Sequence, residues 1–177
     1  AVYAQVFGPE EKGGFDFEKT FQPGNRRWAF DGSLVEGAVK SLSDGVNAFY
    51  LARRVYSPTA RELTMSLGSD DGLRIFVNGR DAYGNNIERG AVPDQDRVTI
   101  KLDQGVNDVV FKVVNTGGAA GFAHRLVASE GEIPHDLFAA ILPEDSLSTA
   151  MQERTAKSWR MTHSEEARAL VETREKL

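Results

Sequence analysis

The fold this sequence predicts is mainly β, an antiparallel β-sandwich of jelly-roll type followed by a short α-helical tail. Three observations predict it. Apolar and polar residues alternate in short runs, as Leu63, Met65 and Leu67 do against Glu62, Thr64 and Ser66, which is the period of a strand with one buried face. Asp31-Gly32, Asp71-Gly72, Asn78-Gly79 and Gln104-Gly105 punctuate the runs, and such dipeptides tolerate the positive φ of tight turns. The helix-strand alternation of a parallel α/β sheet is absent before residue 130, which leaves two packed antiparallel sheets.

Taken in order, Val2 to Phe7 predicts a first strand, closed by Gly8-Pro9. Phe15, Phe17 and Phe21 follow in a glycine-flanked segment and are expected to cover one end of the sandwich. Arg26 to Phe30 predicts a short strand, and Asn47 to Tyr56 a long one ended by Ser57-Pro58. Leu63 to Leu67 and Leu73 to Val77 alternate in the manner of half-buried strands. A long polar loop is expected over Arg80 to Gln95. Val98, Ile100 and Leu102 mark the next strand. Asp108 to Asn115 is apolar almost throughout, as a strand covered on both faces would be. Gly117 to Gly121 reads as a flexible hairpin leading into a last strand over Gly121 to Ala128.

Composition shifts near residue 130, where glycine gives way to Ala, Leu, Glu, Arg and Ser at helical spacing. The expected division is therefore a β-sandwich binding domain over 1–130 and a helical tail or docking segment over 131–177. Helices are expected from His135 to Leu142, stopped by Pro143, and from Thr149 to Met161. A third opens at Thr162. Thr149 with Gln152, and Thr162 with Glu165, have capping-box spacing. Met151, Thr155, Ser158 and Trp159 share one side of the middle helix and form a plausible docking face.

The 177 residues carry a net charge of −5, which argues against nucleic acid as a partner. No apolar run approaches the roughly eighteen residues of a transmembrane helix. The absence of cysteine excludes thiolate catalysis, disulfides and Cys-based zinc sites. His124, His135 and His163 are far apart and match no metal-binding pattern. No GxSxG elbow, P-loop or HExxH motif is present, so an enzyme is not expected. A chain that starts at Ala1 reads as a processed product or as a segment of a longer protein.

The candidate ligand-binding residues lie in the long loop. Tyr83 offers a stacking face, and Asn85, Asn86 and Arg89 offer donors and acceptors suited to sugar hydroxyls. The same residues also suit a self-packed loop. Trp28 is a second platform or a core anchor. Asp70 and Asp71 are adjacent carboxylates at a strand end. They could ligate calcium, a hard cation that prefers oxygen, or accept backbone N–H bonds and hold the turn. No cofactor is required by any motif.

LGSDDGLRIFVNG, NNIERGAVPDQDRVTIKL and GVNDVVFKVVNTGG together resemble a β-sandwich domain of the galactose-binding-like or PA14-like kind. It occurs in large secreted planctomycete-type proteins that also carry cytochrome-c-type domains. The match runs from Leu67 to Phe122 and includes Gly68, Ser69, Asp70, Asp71, Gly72, Asn78, Gly79, Asn85, Asn86, Arg89, Gly90, Pro93, Asp94, Gln95 and Asp96. The resemblance implies a non-catalytic, carbohydrate-binding module in a periplasmic or secreted protein. It also implies a calcium role for the aspartate pair, which PA14-like lectins use in this way. The alternative is an accessory subunit whose tail docks onto a membrane-associated redox assembly. The haem-attachment motif of the cytochrome domains is missing from this chain.

Overall fold

The computed structural model describes residues 2–11 and 16–127, with Ala156, Arg160, Ser164 and Glu166. The chain divides into two compact units, Ala1–Val127 and Ala128–Leu177. In the second, Ala156, Arg160 and Glu166 are helical, and the Ser164 N–H donates to the Arg160 carbonyl. The rest of the expected helical tail, with the Met151, Thr155, Ser158 and Trp159 face, lies outside the described residues.

Among its described residues the first unit holds ten strands: β1 (Thr20–Phe21), β2 (Arg26–Arg27), β3 (Lys40–Leu42), β4 (Asn47–Ser57), β5 (Arg61–Ser69), β6 (Gly72–Val77), β7 (Arg80–Asn85), β8 (Asp96–Leu102), β9 (Gly105–Asn115) and β10 (Ala120–Val127). β1 and β2 form a small hairpin. The other eight form two four-stranded sheets, ordered β3-β10-β5-β8 and β4-β9-β6-β7. The antiparallel pairs β3 with β10, β4 with β9, β5 with β8 and β6 with β7 are nested one inside the next. That nesting is the wrapping order of a jelly roll. Leu63, Met65 and Leu67 of β5, Val98, Ile100 and Leu102 of β8 and Phe122 of β10 meet Leu73, Ile75 and Val77 of β6 and Val109, Phe111 and Val113 of β9 in one core.

The strand alternation read from these runs is the alternation seen, because a slip of one residue would turn every apolar side chain to solvent. Three expectations need correction. Val2 to Phe7 is not a strand but an irregular segment entering a 3-10 turn at Gly8–Glu10. Its carbonyls find a side chain rather than a ladder: Lys112 Nζ donates to the Tyr3 and Gln5 carbonyls at 3.1 and 2.6 Å. Lys112 is fully buried on the outer face of β9, with Glu10 Oε1 at 2.8 Å, so this segment is what covers the second face of that central strand. The strand expected over Arg26 to Phe30 shrinks to Arg26–Arg27.

The third correction matters most for function. The expected loop over Arg80 to Gln95 is half strand, because β7 occupies Arg80–Asn85. Asn78 and Gly79 have φ of 51° and 73°, and Val77 pairs with Arg80 across them. Two consecutive positive φ values make a type I′ turn, whose twist commits the chain to a hairpin. The turn was legible, but the polar run RDAYGN has poor strand propensity and is drawn into the ladder by β6.

Candidate functional site

The chain crosses from one sheet to the other at Asp70-Asp71, which are joined by a cis peptide bond. The Asp70 N–H donates to Gly121 O of β10 at 3.0 Å, and the Asp71 N–H donates to Val114 O of β9 at 2.9 Å. One dipeptide therefore ties both sheets at this end. Asp71 is buried, and its carboxylate gathers two further loops. Oδ1 accepts the Arg89 backbone N–H at 2.8 Å, and Oδ2 accepts the Thr116 N–H and hydroxyl at 2.8 and 2.6 Å. Burial pushes the Asp71 carboxyl up, but these three donors outweigh it and hold its pKa below the usual range. Asn115, also buried, adds the β3–β4 turn: its Nδ2 donates to the Gly45 and Gly118 carbonyls.

Beneath this rim lies a polar network. Arg89 Nε donates to Ser69 O at 3.2 Å, its Nη2 donates to Ser69 Oγ at 3.0 Å, and it forms an ion pair with Asp96. Asn85 Nδ2 donates to Asp96 Oδ1 at 3.2 Å. Burial opposes the charge on Asp96, yet Arg89, Asn85 and Tyr83 keep its pKa low. The Tyr83 hydroxyl is pushed up by burial and by Asp96. This cluster joins the edges β7 and β8 of the two sheets.

Residues 86–95 then form a strap across the outer face of β5 and β10. A Cβ on Gly68 would overlap the Val92 carbonyl, and one on Gly121 would lie 2.9 Å from Ala91 Cβ. Glycine at both positions is what allows the strap to lie flat. Asp94 receives Ser66 Oγ and Arg125 Nε, and Gln95 Oε1 receives the Ser69 N–H at 3.1 Å. Gly68→Ala is expected to lift the strap and lower stability by about 1–3 kcal/mol, as overpacking does. Thermal unfolding of the variant checks this, and an unchanged midpoint would refute the contact.

The proposed site residues fall into different places. Tyr83, Asn85 and Arg89 share the internal network. Tyr83 pairs with Ile75 and packs against the core, so it does not offer the open stacking face expected of it. Arg89 spends its guanidinium on Ser69 and Asp96. Asn86 is exposed on the rim. Trp28 lies elsewhere, half-buried with its ring edge-on to Phe21 at 6.0 Å, as a packing anchor would be. Phe21 is buried while Phe17 is 42% exposed beneath Arg54; Phe15, the third aromatic expected to cover one end, lies outside the described residues. His124 is half-buried and stacks on Phe122 at 6.0 Å.

The rim exposes Asn86, Ile87, Glu88, Thr116, Gly117 and Gly118, with Asp70 half-buried beside them. Thr116 and Asn115 were missed in the sequence because no local pattern marks residues whose partners, Asp71 and Gly45, lie 45 and 70 positions away. As a calcium site the aspartates fit only in part. Calcium takes about six to eight oxygen ligands. Asp71 already receives three donors, and no group of three acidic or histidine ligands exists among the described residues. Asp70, whose pKa is raised by burial and by Asp71, is the better placed of the two.

No family model matches the chain, and no curated protein does. Parts of it are similar to parts of solved structures. One is the PA14 domain of the MpAFP antifreeze protein, at 20% identity over 49% of this chain and 45% of that one, with a TM-score of 0.40. Another is a family 35 carbohydrate-binding module from Clostridium thermocellum, at 22% identity over 45% of this chain and 70% of that one, with a TM-score of 0.34. A third is the GH26-CBM35 β-(1,4)-mannanase of Podospora anserina, at 13% identity over 59% and 28%, with a TM-score of 0.31. The chain thus spans less than half the length of the antifreeze protein's PA14 chain.

Proposed function

We propose that this chain is a non-catalytic binding module that holds carbohydrate at the loop end of the sandwich. One observation carries the reading. The buried Asp71 carboxylate ties the Arg89 and Thr116 loops to the sheet crossover, so the rim is ordered before any ligand arrives. Preorganised loops lose less entropy on binding. Asn86 supplies a planar amide for paired hydroxyls, Thr116 a hydroxyl, and Ile87, 40% exposed, an apolar contact for a ring face. Tyr83, Asn85 and Arg89 act in this reading as positioning residues beneath the rim.

A glycan array probed with the intact protein and with Asn86→Ala tests it. Binding that falls at least tenfold in the variant is the expected result, a difference of about 1.4 kcal/mol. Failure of the intact protein to bind any glycan overturns the proposal. Structural calcium at Asp70 and Asp71 belongs to the same reading, with backbone carbonyls and water completing the ligand set. A higher unfolding midpoint in calcium than in chelator supports it, and equal midpoints leave the pair as a turn-former. The proposed setting is extracytoplasmic, within a large secreted protein of the planctomycete type.

A second reading, an accessory subunit of a larger assembly, is favoured by exposed apolar side chains. Phe30 is 98% exposed and Val35 62%, and a partner surface covering both would support this reading.

A further inference from the structure

We propose that Asn78-Gly79 is a self-modification site, where spontaneous deamidation converts Asn78 to aspartate or isoaspartate and unties the β6–β7 hairpin from the β8–β9 turn. β6 starts beside the Asp70-Asp71 crossover and ends at this turn. The site is therefore at the other end of that strand from the proposed glycan rim, and it is independent of that reading.

The chemistry belongs to the dipeptide. The Gly79 backbone nitrogen gives its proton to hydroxide and attacks Asn78 Cγ. The Cγ–Nδ2 bond breaks, and the amide nitrogen takes a proton from water and leaves as ammonia. Water then opens the succinimide ring at either of its C–N bonds, giving aspartate or isoaspartate. Nothing is oxidised or reduced, and water is the only co-reactant. Asn78 is the only asparagine in the chain followed by glycine, which lacks the side chain that would obstruct the attacking nitrogen. Both residues are exposed.

The fold restrains this reaction. The Asn78 amide is held by three bonds: Oδ1 accepts the Asp108 N–H at 2.9 Å, and Nδ2 donates to Asn107 Oδ1 at 3.0 Å and to Asp103 Oδ2 at 3.2 Å. The Asn78 N–H adds a fourth tie, to Asp108 O at 2.9 Å. Asn107 is fully buried and is itself fixed, donating to the Asp103 and Gly105 carbonyls and accepting the Asp103 N–H. Attack requires the amide to rotate until Cγ faces its own next nitrogen. An amide bonded at both Oδ1 and Nδ2 to residues 103–108 is not free to rotate. The Asp103 carboxylate also opposes loss of the Gly79 proton, because it disfavours a second negative charge nearby.

The product cannot remake the tether. A carboxylate at position 78 has no N–H to donate, and it faces Asp103 Oδ2 and Asn107 Oδ1, which are both acceptors. Isoaspartate also lengthens the backbone within the two-residue turn across which Val77 pairs with Arg80. Molecules whose turn opens are thus marked, and the mark keeps the turn open.

The intact protein, incubated at mildly alkaline pH in native buffer and in urea, provides the test. Mass spectrometry follows the peptide spanning residue 78, with fragmentation that separates aspartate from isoaspartate. In urea Asn78 should react before every other asparagine. In native buffer it should react roughly tenfold more slowly or slower still, as several net-favourable bonds imply. Asp103→Ala should speed the native reaction several-fold and leave the rate in urea unchanged. Asn78→Asp should lower the unfolding midpoint and speed hydrogen exchange at the β6–β7 and β8–β9 turns together. Equal wild-type rates in buffer and urea, or an earlier reaction at another asparagine in urea, would overturn the proposal. So would a folded Asp103→Ala that reacts at the wild-type rate, or an Asn78→Asp with wild-type midpoint and exchange.

Discussion

Lys112→Met is expected to release the N-terminal segment from the outer sheet face and to lower stability by about 3–5 kcal/mol, the usual cost of breaking a buried ion pair from one side. Lys112 is fully buried, and its three donors are matched by Tyr3 O, Gln5 O and Glu10 Oε1. Methionine fills the space but leaves Glu10 inside, facing the Tyr50 hydroxyl and Arg74. Arg74 Nη1, 3.6 Å from Glu10 Oε2, recovers only part of the loss. Denaturant unfolding measures the change, and hydrogen exchange over residues 2–11 locates it. Replacing Glu10 as well, with Met at both positions, should restore much of the stability, because the double variant no longer buries an unpaired charge. Wild-type stability in the single variant would show that the segment is not held by this pair.

Asp71→Ala should disorganise the loop end and remove about 3 kcal/mol, since buried donors left without a partner cost roughly 1–3 kcal/mol each. The Arg89 and Thr116 N–H groups lose their acceptor together, so the 86–95 strap and the β9–β10 turn should loosen as one. If the rim binds glycan, affinity should fall with them. The pH dependence has a defined sign. Asp71 and Asp96 both have lowered folded-state pKa values, so the stability they contribute is present above the ordinary carboxylate pKa of about 4 and is lost as pH falls through the lowered values. Asp70 has a raised pKa and opposes this trend in part. Unfolding midpoints between neutral and acid pH should decline in the wild type and decline less in Asp71→Ala. An identical slope would mean that the Asp71 carboxylate is not the acceptor described.

The strands of the two sheets were legible wherever an apolar alternation ran through them. β5, β6 and β8 carry it at every second residue, and the period itself assigns their inner faces. β3 and β7 were illegible because Lys40–Leu42 and Arg80–Asn85 lack that pattern and become strands only by pairing with Phe122 and Ile75. Of the residues expected to bind, Tyr83 is turned inward by its pairing with Ile75 in the hairpin that Asn78-Gly79 imposes, and Arg89 by its bonds to Ser69 and Asp96. Thr116 was invisible for the opposite reason: its importance lies wholly in reaching Asp71.

By itself, then, the amino-acid order determined an antiparallel β protein, the inner face of each patterned strand and the positions of the tight turns. Those follow from local sterics and from a two-residue period, both of which are properties of neighbouring residues. Only the tertiary structure decided that Asp71 is the knot of three segments, that Gly68 and Gly121 exist to admit a strap, and that Lys112 is a buried anchor rather than a surface charge. Each of these depends on groups brought together from distant positions, and the free energy of a buried polar group is set by the partners it meets there, not by the residues beside it in the chain.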